Sequence, residues 1–78
     1  MSSVTWEDLE GENALVVVGI VHRLLRKVER EVGGSLKGLA GRYQDEALAG
    51  DYEHLMDVSH RYAREHLRTT LEVPEERD

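Results

Sequence analysis

The stretch from Asn13 to Val32 most constrains what this chain can become. Its apolar residues Ala14, Val18, Val21, Leu25, Val28 and Val32 recur at alternating intervals of four and three. That spacing keeps one face of an α-helix apolar over about five turns. A second row, Val17, Ile20 and Leu24, widens the stripe, and Leu15 and Val16 extend it almost round the helix. The β-branched run from Val16 to Val21 would also suit a buried strand. The helical spacing nevertheless continues through Leu24, Leu25, Val28 and Val32, where charged residues interleave without strand alternation. Asn13 is a good N-cap, and Gly33-Gly34 is a good helix stop.

The same helix asks for cover. Eleven of the 20 residues from Asn13 to Val32 are apolar, more than one facing helix in a small domain hides. A helix apolar nearly all round is normally buried on all sides. Symmetric self-association through Val17, Ile20 and Leu24 is therefore expected. With 78 residues there is one domain, 1–78, and no cysteine to staple it. A partner chain is the natural supplement to so small a core.

Two further helices follow. Ser35 can cap a segment in which Leu36, Leu39, Ala40, Tyr43, Ala47 and Leu48 recur at helical spacing, weakened by Gly38 and Gly41. Gly50 closes it. Asp51 opens a third helix, with Leu55, Ser59, Tyr62, His66 and Leu67 on one face. The expected fold is an all-α compact bundle of three helices, roughly 13–32, 35–49 and 51–71. Residues 1–12 stay open between a short strand, from the alternation of Val4 and Trp6, and a helical turn, from Thr5 followed by Asp8. Trp6 is expected to lie over the core as a lid. Pro74 forbids continuation of the third helix, and residues 72–78 are expected as an acidic, disordered tail.

The formal net charge of −6 belongs to the ends. Residues 1–12 carry four acids and no base, and residues 72–78 carry four acids against Arg77. The body between is nearly neutral. No apolar run reaches the roughly 18–20 residues of a membrane span, and acids precede the longest run where a signal peptide would place bases. The sequence thus reads as cytoplasmic, with acidic ends that oppose contact with nucleic acid.

The layout Leu9-Glu10-Gly11-Glu12-Asn13-Ala14, then Val18-Gly19, then Arg23-Leu24-Leu25-Arg26-Lys27, continues with Tyr43, Glu46-Ala47, Gly50-Asp51-Tyr52 and Leu55-Met56. Over about residues 9–62 it resembles short proteins encoded by bacteriophages and other mobile elements. The resemblance implies no established activity. It implies the kind of gene, an accessory protein that binds or blocks a host protein.

Catalytic groupings are not expected. His54, His60 and His66 are six residues apart, so successive rings turn about 240° on a helix and share no metal. Ser59 and His60 are neighbours that cannot face one another, and Ser59 and His66 are too far apart for a hydrogen bond. Asp45-Glu46 and Glu75-Glu76 are adjacent and lack an apolar pocket to split their pKa values. Gly33-Gly34-Ser35 lacks the order of a phosphate loop. No metal or cofactor is implied.

The basic rows are the more informative feature. Arg23, Arg26, Lys27 and Arg30 lie along the first helix, and Arg61, Arg64 and Arg68 along the third. Together they could take a phosphate or an acidic partner. Pairing with Glu29, Glu31 and Glu65 would instead make them an ordinary solvated face. Two readings result. The leading one is a non-enzymatic, self-associating binding module that binds or blocks a host protein. The other is an oligomeric trap for an anionic nucleotide signal, with Tyr52 and Tyr62 stacking on bases.

Overall fold

The computed structural model describes residues 4–77, and their regular structure is entirely helical. The elements are α1 (Trp6–Leu9), α2 (Ala14–Val32), a 3-10 turn (Gly34–Leu36), α3 (Leu39–Ala47), α4 (Tyr52–His66) and α5 (Arg68–Leu71). The three longer helices, α2, α3 and α4, pack against one another as the expected all-α bundle.

The open question at the N-terminus resolves as a helical turn. The Thr5 N–H donates to Asp8 Oδ2 at 3.0 Å, which holds one end of α1. Its four residues turn Trp6 and Leu9 inward, at 2% and 0% exposed. Trp6 Nε1–H donates to Glu10 Oε2 at 2.9 Å, and its ring meets His60 edge-on at 5.2 Å between centroids. The tryptophan is therefore a lid with its polar edge satisfied.

α2 begins where the sequence places it. Asn13 Oδ1 accepts from the Leu15 N–H at 2.8 Å, and Gly33, at φ 92°, ends the helix. Val17, Val18, Val21 and Leu25 are buried, with Ala14, Ile20, Leu24 and Val28 packed partly against them.

The second helix is shorter than 35–49. Gly38 sits in the left-handed region at φ 82° and separates the 3-10 turn from α3. Ser35 caps nothing. Instead Glu29, reaching across from α2, accepts from the Ala40 N–H at 2.9 Å. A tertiary contact thus does what a local cap was expected to do.

The third helix also breaks. Asp51 Oδ1 accepts from the His54 N–H at 2.9 Å and starts α4. Leu67, at φ −126° and ψ 23°, then separates α4 from α5. A continuous helix would carry Leu71 about 130° off the buried stripe of α4. The break turns it inward, so that Leu67 and Leu71 are 1% and 0% exposed. Burial of two leucines outweighs one lost turn of regular helix.

Residues 72–77, expected as a disordered tail, instead lie against the body. Val73 packs on the core, His60 Nε2 bonds the Pro74 carbonyl at 2.9 Å, and Arg64 donates to the Glu75 carbonyl at 2.8 Å. Arg77 reaches Glu10 at 3.1 Å, Glu53 at 3.3 Å and Asp57 at 2.6 Å. One arginine thereby ties the two acidic ends of the chain to α4.

Candidate binding surface

The core fixes which side of α2 faces outward. Val17, Val21, Leu25 and Val28 centre the inward face. At 100° per residue, Arg23, Arg26, Lys27 and Arg30 fall on the opposite side, and all four are exposed. None makes a hydrogen bond or ion pair with a described residue. The expected neutralisation by Glu29 and Glu31 is absent, because Glu29 is spent on capping α3. Four cations thus stand along one helix face with no partner among the described residues.

The same outward face begins apolar. Leu15 is 77% exposed and Val16 41%, and both lie on the N-terminal half of the side that carries the cations further on. Gly19, between the halves, is exposed as well. Sequence periodicity missed Leu15 and Val16 as surface residues because they simply appeared to widen the apolar stripe. Their signal was that they lie more than 90° from the stripe's centre.

The expected self-association set needs correcting. Val17 is completely buried in the monomer core and is unavailable to a second chain. Ile20 and Leu24 are half-buried against the core. With Val4, Arg23, Thr70 and Leu71 they line a shallow groove of about 270 Å³ between α2 and α5.

The arginines beyond α2 are dispersed. Arg61 pairs with Glu46, Arg64 is turned to the Glu75 carbonyl in residues 72–77, the C-terminal strap, and Arg68 is exposed at the start of α5. Arg61 and Arg64 are therefore spent on holding α3 and the strap, which is why the second row offers no continuous cationic surface.

The tyrosines are likewise employed in the fold. Tyr52 donates to the Glu12 carbonyl at 2.8 Å, and Tyr62 to Glu46 Oε2 at 2.9 Å. Glu46 is a hub that the sequence did not announce. It accepts from Arg61 and Tyr62, and its backbone carbonyl meets His54 Nε2 at 2.8 Å. The bonds from Arg61 and Tyr62 hold its carboxyl below the usual carboxylate range. Tyr62, partly desolvated and facing that carboxylate, is shifted upward.

Ser59 is occupied too. It is 0% exposed, and its hydroxyl lies 2.7 Å from that of Tyr43, itself fully buried. Burial pushes the Tyr43 phenol up to about 12, against a smaller lowering by Ser59. This pair fastens α3 to α4 and offers no path for a substrate. Among the described residues, no group of three or more metal-ligating side chains converges, and no helix is long and apolar enough to cross a membrane.

The chemistry this face offers is apolar contact and positive charge. Apolar residues supply burial and exposed guanidinium groups supply bidentate recognition of acidic groups. No protein-family model, curated protein or solved structure matches the chain.

Proposed function

We propose that this chain is a non-enzymatic binding module whose outer α2 face docks a protein. The observation that carries the reading is the pairing, on one helix face, of exposed Leu15 and Val16 with four cations that have no described partner. An apolar patch flanked by arginines is the composition that protein interfaces enrich. The phage-like sequence layout suggests, apart from what occupies this face, an accessory factor that binds or blocks a host protein. The nucleotide-trapping alternative is weaker. The Tyr62 ring already packs against Tyr43 and His66, and Arg61 and Arg64 are turned to Glu46 and to the Glu75 carbonyl.

A photo-cross-linking amino acid placed at Leu15 tests the reading, with the exposed α3 position Gln44 as control. The expected result is a discrete protein adduct at position 15, identified by mass spectrometry, and none at 44. A saturating nucleotide at about 100 times its dissociation constant would add about 2.7 kcal/mol of stability. Such a rise in melting temperature without an adduct would replace this reading with the ligand trap.

A further inference from the structure

We infer that the occupant of the outer α2 face is a second copy of this chain, laid antiparallel across a two-fold axis at Gly19. The inference rests on the reading of that face as a docking surface. It is carried by the order of charges along the face, which is self-complementary.

Exposed Glu12 lies just before the Asn13 N-cap, at the N-terminal end of α2. Exposed Leu15, Val16 and Gly19 follow, and then Arg23, Arg26, Lys27 and Arg30. Two copies related by an axis at the centre of such a face bring acid to base at both ends, as an isologous interface requires. Arg26 lies seven residues past Gly19, roughly 10 Å along the axis, and Glu12 sits just beyond the other end, before the Asn13 N-cap. The axis therefore sets Glu12 of one copy across from Arg26 of the next. Val16 and Arg23, three and four residues out from Gly19 on the same side of the helix, meet likewise, with the arginine stem covering the valine. Antiparallel pairing also sets each α2 N-terminus beside its neighbour's C-terminal half, the favourable sense for helix dipoles. A wholly acidic foreign partner would instead set like charge against Glu12 at the near end.

Gly19 is the second observation. Glycine is disfavoured in a helix interior, yet this one sits mid-helix. A Cβ added there would meet nothing within 4 Å, and its backbone lies outside the positive-φ region. The monomer has no use for the missing side chain. A helix crossing at this point does, because glycine lets two backbones approach closely.

Sedimentation velocity of the full chain decides the matter. Wild-type protein is expected to dimerise, and Leu15→Glu and Gly19→Leu each to weaken the dimer by about tenfold or more, near 1.4 kcal/mol. Glu12→Arg and Arg26→Glu should each weaken it singly, and their combination should restore it, because the swapped charges meet again across the axis. All four positions are exposed, and far-ultraviolet circular dichroism verifies that each variant is folded. A wild-type chain still monomeric at about 100 μM, or a double swap no better than either single, overturns the inference. A monomer that still cross-links another protein through position 15 sinks only the second copy. A monomer with no adduct sinks the docking face as well.

Discussion

Tyr43 and Ser59 allow the sharpest test of how α3 is held to α4. Both side chains are fully buried and their hydroxyl groups are 2.7 Å apart. Tyr43→Phe removes one hydroxyl and leaves the other without its partner. A helical serine can turn its proton to the carbonyl four residues back, here that of Leu55. The cost should therefore fall at the low end for an orphaned buried hydroxyl, about 1 kcal/mol. Ser59→Ala strands a phenol that cannot relocate, so about 2 kcal/mol is expected. The double variant orphans nothing and should cost about 1 kcal/mol, well short of the sum of the singles. Urea unfolding followed by circular dichroism measures all three, since 1 kcal/mol moves the midpoint by about 1 M in a domain of this size.

The same pair predicts an alkaline transition. The unfolded phenol loses its proton near 10, while burial holds the native one until about 12. Between those values the native state binds more protons than the unfolded state. The contribution is thus complete below pH 10 and falls as pH rises towards 12, by at most about 1.4 kcal/mol per pH unit. Tyr43→Phe should flatten this loss. Tyr62, also shifted upward, contributes with the same sign to both proteins and cancels in the comparison. Additive single costs, or parallel loss of stability in wild type and Tyr43→Phe, would refute the reasoning.

Two further outcomes follow from the fold. Arg77→Ala should lower the melting temperature by a few degrees, about 0.5–1 kcal/mol, since its carboxylate partners Glu53 and Asp57 are largely exposed. It should also make Trp6 more accessible to acrylamide quenching, and unchanged quenching would mean the strap does not hold the lid. Gly38→Ala should destabilise by about 1 kcal/mol because its φ of 82° strains any side chain. Gly41→Ala, in the first turn of α3 with open space around it, should stabilise by about 0.5 kcal/mol. Urea midpoints moving in the same direction for both would contradict the backbone argument.

The sequence by itself determined what depends on local periodicity and capping. Asn13, Gly33, Asp51 and the apolar spacing located the starts of α2 and α4 and the end of α2, because helix ends and faces are written within a few residues. It also marked Arg23, Arg26, Lys27 and Arg30 as one row, since residues three and four apart share a helix side. It did not determine which apolar residues of α2 face inward, because a helix apolar nearly all round has no unique inner face until its neighbours dock. Packing of α3 and α4 buried Val17 and left Leu15 and Val16 outside. Only tertiary contacts could break the third helix at Leu67 to bury Leu71, cap α3 with Glu29, and fold the acidic tail back through Arg77. Each of those contacts joins residues that are remote in the chain or turns on a burial gain, and neither quantity exists until the helices meet.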